Sequence, residues 1–267
     1  MGSLQKAALV VALLACACAS DREQRERALR KSIAMELLVQ RDWAAAFNKV
    51  RDLHAEDPRD PDVLTMRGII FREKGMAAEA EADFVEALAI HSDRADTHSA
   101  LAVMLEAQGR GKEALEHHRA AADLAPESPD ALNNLAFALF ARNQRDESIA
   151  LYKEALRLDP TSARVRNNLG FAYARGGDFA KASREFASGG SPAEAKNNLG
   201  FAYEKAGNLA AAYDLYQQAL ALQPGHEQAW NNLVEIAKKL DRPGPEALGL
   251  KHATDTGERD AKAEKPN

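Results

Sequence analysis

The sequence predicts an all-α fold of repeated helical hairpins, from its composition and from the spacing of its helix breakers. The chain of 267 residues is dominated by Ala, Leu and Glu and has few β-branched residues, which is a helical composition. Its 16 Gly and 10 Pro fall at spaced intervals along the chain. A long helical chain with regularly spaced breakers is typical of a repeat architecture.

A period of about 34 residues confirms this interpretation at the level of single residues. One copy of the pattern contains Leu132, Leu135, Ala136, Leu139, Ser148, Tyr152, Ala155 and Pro160. The copy before it contains His98, Leu101, Ala102, Leu105, Ala114, His118, Ala121 and Pro126. A further copy contains Lys196, Leu199, Gly200, Tyr203, Ala212, Tyr216, Ala219 and Pro224. The order large-large-small-large, then small-aromatic-small-Pro, resembles the tetratricopeptide (TPR) repeat.

Each residue type in the pattern has a packing reason. Small residues at repeat positions 8 and 20 allow the two helices of a repeat to approach closely, and aromatic residues at positions 11 and 24 fill the space between them. Position 15 favours a residue that adopts the left-handed conformation and ends the first helix. It is occupied by Gly75, Gly109, Asn143, Gly177 and Gly207. The resemblance implies a TPR α-solenoid, a right-handed superhelix of helix-turn-helix repeats, with a C-terminal capping helix.

On this register the chain divides into five parts. Residues 1–15 are predicted to be a lipoprotein signal peptide, 16–26 a linker, 27–226 six TPR repeats, 227–240 a capping helix and 241–267 a disordered tail. The repeats span 27–60, 61–94, 95–128, 129–162, 163–192 and 193–226. The fifth repeat is short at the end of its second helix, around Gly189 and Gly190, where we expect a local kink. The tail is rich in Pro and charge, which favours disorder.

The resemblance also implies a concave groove lined by the first helices, through repeat positions 2, 5, 6, 9, 12 and 13. Position 6 carries an Asn, and position 9 a Phe, in consecutive repeats. The predicted partner-binding residues are therefore Asn134, Phe137, Asn168, Phe171, Asn198, Phe201 and Asn232. A second Asn precedes each of these at position 5. These are Asn133, Asn167, Asn197 and Asn231.

Two interpretations of these residues are open from the sequence. An amide at position 6 has donors and an acceptor for the backbone of a bound peptide, with the neighbouring Phe as apolar contact. The alternative is that the Asn residues steady neighbouring helices, which we favour for position 5, and that Phe at position 9 packs between repeats. Position 9 is apolar and position 2 varies, unlike the carboxylate clamp of chaperone-binding TPR domains, so a free C-terminal carboxylate is not the expected ligand.

The first residues resemble a lipoprotein signal. Lys6 precedes an apolar run that is too short to span a bilayer, and the run ends in Leu13-Leu14-Ala15-Cys16. This resembles a bacterial lipobox, in which the Cys is acylated, with Cys18 as the alternative site. An uncleaved anchor or a plain secretory signal remains the competing interpretation. Resemblance to Gram-negative lipoproteins implies an outer-membrane location facing the periplasm, because Ala17 follows Cys16.

The net charge and the lack of catalytic motifs argue against nucleic-acid binding and against catalysis. The net charge of −5 and the mixing of basic with acidic residues argue against nucleic acid as a partner. No nucleophile stands in a recognisable catalytic setting and no phosphate loop occurs, so we expect neither an enzyme nor a cofactor. Adjacent His117 and His118 point about 100° apart on a helix, and no metal site is predicted.

A lipid anchor joined to a TPR array resembles the TPR lipoproteins of Flp/Tad pilus assembly. It resembles the pilotins of type IV pili less closely, because the stretch from Asn167 to Tyr173 lacks the Tyr and Cys of their motif. The expected function is a membrane-anchored scaffold that assists assembly of a pilus or secretion apparatus, with a protein or peptide in the groove, such as a pilus or secretin component. The alternative is a periplasmic adaptor that recruits peptidoglycan enzymes.

Overall fold

The structure, a computed structural model, describes residues 22–250, and these residues form helices, turns and loops without a strand. The predicted signal peptide, both cysteines and the end of the predicted tail lie outside the described residues. The chain divides into two compact units between Ala125 and Pro126. Each unit is a stack of helical hairpins, as the TPR pattern predicts.

Between residues 22 and 125 the first unit has six helices, which form three hairpins. The first, α1, covers residues 22–39 of the described chain. The others are α2 (Trp43–Glu56), α3 (Pro61–Glu73), α4 (Ala77–Ile90), α5 (Ala95–Ala107) and α6 (Gly111–Leu124). Residues 22–26 belong to α1, although the sequence analysis assigned them to a linker. Their sequence, Arg-Glu-Gln-Arg-Glu, consists of strong helix formers, which explains why the helix begins before the first repeat.

The second unit contains three hairpins and a last single helix. Its helices are α7 (Pro129–Ala141), α8 (Arg145–Leu158), α9 (Ala163–Arg175), α10 (Phe179–Ser188), α11 (Pro192–Lys205), α12 (Leu209–Leu222) and α13 (Glu227–Leu240). The first helices of the three hairpins, α7, α9 and α11, lie side by side, and the single helix α13 continues this row next to α11. Serine side chains cap three of them, with the Oγ of Ser128, Ser162 and Ser191 accepting from the backbone of the first turn.

The turn inside each hairpin has the predicted left-handed residue. Gly75, Gly109, Gly177 and Gly207 have φ between 75° and 83°, and Asn143 has φ 62°. In the first repeat Arg41 occupies the same position with φ 59°. The backbone N–H of the following residue then bonds back into the first helix, for example Asp178 to Tyr173 at 3.0 Å. These bonds satisfy carbonyls that would otherwise be unpaired at the helix end.

The hairpins are held together by a small residue on the first helix facing a ring on the second. Gly68 faces Phe84, Gly170 faces Phe186 and Gly200 faces Tyr216, and all three rings are fully buried. A Cβ built on Gly170 would lie 2.6 Å from a Phe186 ring carbon. These pairs are repeat positions 8 and 24, so the predicted close approach of the two helices is present.

The fifth repeat ends early. Helix α10 has 10 residues, whereas α8 and α12 have 14. After it, Ser191 and Glu194 form a reciprocal capping box that begins α11. A Cβ on Gly189 would lie 2.8 Å from Asn167 Oδ1 and 3.2 Å from the Ala163 carbonyl oxygen. Glycine is therefore required where the shortened helix meets the start of α9.

Residues 241–250 correct the predicted disordered tail. The Tyr213 hydroxyl donates to the Pro243 carbonyl at 2.8 Å, and Arg242 lies over the Tyr213 ring with 5.1 Å to its centroid. Leu250 packs against the core that includes Trp230. The segment is held by these contacts with α12 and α13, which lie far from it in sequence and which its polar composition does not reveal.

We predict that Gly170→Ala destabilises the second unit although alanine is the better helix former. The clash with Phe186 should cost about 1–3 kcal/mol, more than the roughly 1 kcal/mol gained in helix propensity. In a Phe186→Leu background the same substitution should instead be neutral or stabilising, because the ring edge is gone. Gly244→Ala, where a Cβ meets no atom within 4 Å, is the control. Chemical denaturation of Gly170→Ala, Phe186→Leu, the double variant and Gly244→Ala measures whether each change lowers or raises the free energy of unfolding.

We also predict a loss of stability in mild acid from the first unit. His98 Nδ1 and His117 Nδ1 lie 2.8 Å apart, so one ring donates and the other accepts. Burial, and secondarily His98, lowers the pKa of His117, while Glu113 and Glu116 oppose this and His118 adds to it. A base with a lowered folded pKa takes up its proton more readily when unfolded.

Stability should therefore be unaffected above the unfolded pKa of about 6.5 and should fall as the pH drops below it. His54, whose pKa is lowered chiefly by burial, acts in the same direction. Thermal melts at pH 7.5 and 5.5 should show a smaller decrease for His117→Gln than for the wild type. An equal decrease in both proteins would contradict this assignment.

Candidate functional site

The seven predicted binding residues all lie on the first helices of the second unit. Asn134 and Phe137 lie on α7, Asn168 and Phe171 on α9, Asn198 and Phe201 on α11, and Asn232 on α13. Because these helices lie side by side, the structure brings the residues into two adjacent rows, one of amides and one of rings.

The amide row is a ladder of hydrogen bonds between repeats. Asn168 Nδ2 donates to Asn133 Oδ1 at 2.9 Å, and Asn232 Nδ2 donates to Asn197 Oδ1 at 2.9 Å. Between them Asn198 Nδ2 donates to Asn167 Oδ1 at 3.4 Å. Asn168, Asn198 and Asn232 at position 6 thus each bond to the position-5 amide of the preceding repeat.

The ladder shows a structural role for both amide positions. Asn133 and Asn197 are buried, at 3% and 2% exposure, so their polar atoms depend on partners within the fold. Asn167 Nδ2 donates to the Gly189 carbonyl at 3.2 Å, which ties the short α10 to α9. The position-6 residues are partly exposed, and Asn168, Asn198 and Asn232 have their Nδ2 engaged in the ladder. Partner contact through Asn134, Asn168, Asn198 and Asn232 stays a prediction.

The three phenylalanine rings at position 9 differ in how much of their surface is exposed. Phe137 and Phe201 are 46% and 37% exposed. Phe171 is partly buried, because its ring meets Phe186 edge-on at 4.8 Å between centroids and Phe201 at 5.9 Å. The two interpretations of position 9 therefore both apply, with Phe171 as a packing residue whose outer face continues the surface of its neighbours.

These rings line an open groove of about 540 Å³ in the second unit. Asn168 and Phe140 also line it, as do Tyr152 and the cations Arg175 and Lys205. The residues that line the groove include no acidic side chain. The groove is therefore apolar at its centre and positive at its edge.

The two cations are held against the rings. The Arg175 guanidinium lies over the Phe140 ring at 3.8 Å from the centroid and donates from Nη1 to the Phe140 carbonyl at 2.6 Å. Lys205 Nζ lies 4.8 Å from the centroid of Phe201. Such cation–π contacts orient the charges along the apolar surface while leaving them accessible to solvent.

Sequence reasoning missed Phe140, Tyr152, Arg175 and Lys205. A signal existed for three of them, because Phe140 is repeat position 12 and Arg175 and Lys205 are position 13, both of which the TPR pattern directs to the groove. The repeat pattern predicts Tyr152, the aromatic residue at position 24, as a core residue. It is fully buried, and burial raises the pKa of its hydroxyl, which stays protonated at neutral pH.

Over residues 22–250, no group of three or more His, Cys, Asp and Glu side chains is arranged to bind a metal ion. Within the same range no helix has the length and apolar character needed to cross a bilayer. The predicted acylation sites, Cys16 and Cys18, lie outside this range.

Comparison with known proteins agrees with the repeat pattern. Family profiles described as tetratricopeptide or TPR repeats match residues 65–129, 138–177 and 193–226. No curated protein matches the chain by sequence.

Several solved structures have the same fold. PilF of Pseudomonas aeruginosa is 18% identical, with a TM-score of 0.62 over 78% of this chain and 97% of its own. PilW, described as a widely conserved type IV pilus biogenesis factor, is 20% identical, with a TM-score of 0.65 over 78% and 98%. YrrB, described as a TPR protein with an unusual peptide-binding site, is 21% identical, with a TM-score of 0.54 over 71% and 97%.

The profile matches, the register of small and aromatic residues and the paired helices all describe one architecture. The chain belongs to the tetratricopeptide-repeat proteins.

Proposed function

We propose that this chain is a membrane-anchored interaction scaffold that captures a protein segment in the groove of its second unit. The observation that carries the proposal is the pair of exposed rings, Phe137 and Phe201, placed on either side of Phe171 in an open groove. Exposed apolar surface is a liability for a protein that has no use for it, and contiguous patches mark interaction sites. YrrB offers a precedent for peptide binding on this fold.

The anchor is proposed on the sequence alone. Acylation of Cys16, or alternatively Cys18, would attach the chain to a membrane, and each buried methylene of the acyl chains adds about 0.8 kcal/mol to the attachment. The outer membrane of a cell envelope, with the repeats in the periplasm, is the location that fits the residue after Cys16. The groove would then present its rings and cations to envelope proteins.

Within that setting we propose a role in assembling a pilus or secretion apparatus, with a pilus or secretin component as the partner. The lipobox-like signal joined to TPR repeats supports this, and so does the likeness in fold to a type IV pilus biogenesis factor. A scaffold that recruits a cell-wall enzyme would use the same groove. The identity of the captured partner therefore decides between the two roles.

We predict that a photoreactive residue at Phe137 crosslinks a specific partner in cells. The control site is Leu222, which is also apolar and 55% exposed but lies on the second helix α12, away from the groove. Mass spectrometry of the Phe137 product should identify a pilus or secretion component, whereas a peptidoglycan enzyme would support the adaptor role. Equal capture from both sites would show that the groove is not selective.

We predict that Phe137→Ser with Phe201→Ser abolishes this capture, leaves helicity nearly unchanged and lowers the melting temperature less than Phe171→Ser does, because both rings are partly exposed and lie outside the buried core. Phe171→Ser should behave differently. It loses contact with Phe186 and should cost roughly 2 kcal/mol, about half the usual penalty for truncating a fully buried Phe. Leu222→Ser serves as a control for an exposed apolar residue. Circular dichroism and crosslinking on the same samples separate loss of binding from loss of fold.

We predict that Cys16→Ala with Cys18→Ala releases the chain from the membrane fraction without unfolding it. The described cores of both units are built from residues between 34 and 250, so we expect them to form without the acyl anchor. Fractionation and far-ultraviolet circular dichroism measure the two outcomes. An unfolded product would show that the anchor contributes to folding, and a product still bound to the membrane would exclude acylation as the anchor.

A further inference from the structure

The Tyr152 side chain indicates which chemical groups a ligand of the groove carries. Tyr152 is fully buried on α8, and its hydroxyl oxygen has no hydrogen-bond partner among the described residues. It also contributes to the wall of the groove beside Phe137 and Phe171. A buried polar group without a partner is rare because it pays a desolvation cost without compensation.

The sixth repeat of the same chain shows how this group is satisfied when an acceptor is present. There the equivalent ring is Tyr216, whose hydroxyl donates to Glu204 Oε2 at 2.9 Å. In the third repeat the equivalent ring is His118, whose Nε2 lies 3.6 Å from Glu106 Oε1, beyond hydrogen-bond distance. Glu204 and Glu106 both occupy repeat position 12. In the fourth repeat that position is Phe140, so Tyr152 has the ring of the motif without its acceptor.

The groove in front of Tyr152 supplies donors and positive charge. Arg175 and Lys205 lie at its edge, no acidic side chain lines it, and the Tyr152 hydroxyl is a donor because burial raises its pKa. An isolated anion would enter poorly, because the centre of the groove is made of phenylalanine rings. An apolar group joined to an acceptor matches both parts of the surface.

We propose that the groove binds an extended peptide segment in which a large apolar side chain adjoins an acidic one, and that the Tyr152 hydroxyl donates to the ligand's carboxylate. The apolar side chain packs against Phe137, Phe171 and Phe201, and Arg175 and Lys205 balance the charge. The ligand thus supplies the acceptor that Glu204 supplies to Tyr216. Because the hydroxyl is closed to solvent in the free chain, the ligand must displace the side chains above it. This inference rests on the proposed function and specifies its ligand.

The test uses the purified full chain and an array of blocked nonapeptides of Gly and Ser. Each peptide has a central Phe, Leu or Gly followed by Asp, Asn, Ala or Lys. The wild type should retain the Asp peptides best and the Lys peptides least. Tyr152→Phe should weaken binding of the Asp peptides about tenfold, the effect of losing one hydrogen bond to a charged group. Lys205→Gln should reduce the preference for Asp over Asn without removing the preference for Phe or Leu over Gly.

Tyr216→Phe is the matched control, because it removes the same atom from a ring that already has a partner. It should lower the melting temperature and leave peptide binding unchanged. Tyr152→Phe should not lower the melting temperature, because its hydroxyl has no bond to lose in the free chain. A decrease like that of Tyr216→Phe would show a partner inside the fold and would overturn the proposal.

Equal binding of the Asp peptides by the wild type and Tyr152→Phe, or no preference for Asp, would also overturn it. In-cell crosslinking from Phe137 separates this failure from failure of the proposed function. If Phe137 captures a partner while the peptide preference is absent, the scaffold role stands and the ligand chemistry assigned here is wrong. If Phe137 captures nothing, the proposed function fails as well.

Discussion

In the second, fifth and sixth repeats, the contact between a glycine at repeat position 8 and a ring at position 24 determines how closely the two helices of the hairpin pack. At Gly170 and Gly200 the facing ring carbons lie 2.6 and 2.8 Å from where a Cβ would stand, so even one methyl group is excluded there. The ring crosses from the second helix to the first, and its far end reaches position 12, next to the groove. Core packing and groove chemistry are therefore linked through the same ring: a Phe buries its end, whereas a Tyr or His brings a polar atom that needs a partner.

Along the first helices the amides and the rings have different roles: the amides join neighbouring repeats, and the rings form the surface of the groove. Bonds such as Asn168 to Asn133 cross from one repeat to the next and fix the height of neighbouring helices, a directional constraint that apolar packing alone lacks. With helix height fixed in this way, Phe137 and Phe201 can remain exposed without contributing to the core. A surface built on a rigid ladder can bind with little loss of backbone conformational entropy, so only the side chains above the Tyr152 hydroxyl need to move when a ligand enters.

Much of the fold could be predicted from the sequence, because each residue type of the TPR pattern has a fixed packing role. The hairpins, the left-handed turn residues and the facing positions 8 and 24 follow from local spacing. The ladder was harder to predict, because its bonds join residues 31 to 35 positions apart and depend on which amide atom faces the neighbour. The ordering of residues 241–250 depends on Tyr213 reaching Pro243, and polar composition carries no sign of it. The unpaired Tyr152 hydroxyl becomes visible only when equivalent rings are compared in three dimensions.

The short fifth repeat illustrates why the register survives a deletion. Helix α10 has 10 residues where its counterparts have 14, a difference close to one turn of 3.6 residues. Removing about one turn from the end of a helix leaves the direction of its remaining side chains unchanged, so Phe186 still faces Gly170. The spacing between Asn167 and Asn198 falls to 31 residues, against 35 between Asn133 and Asn168, yet both pairs form the same bond. The deletion lies wholly in the second helix and its loop, and for this reason the first helices keep Phe171 and Phe201 in edge contact within the groove.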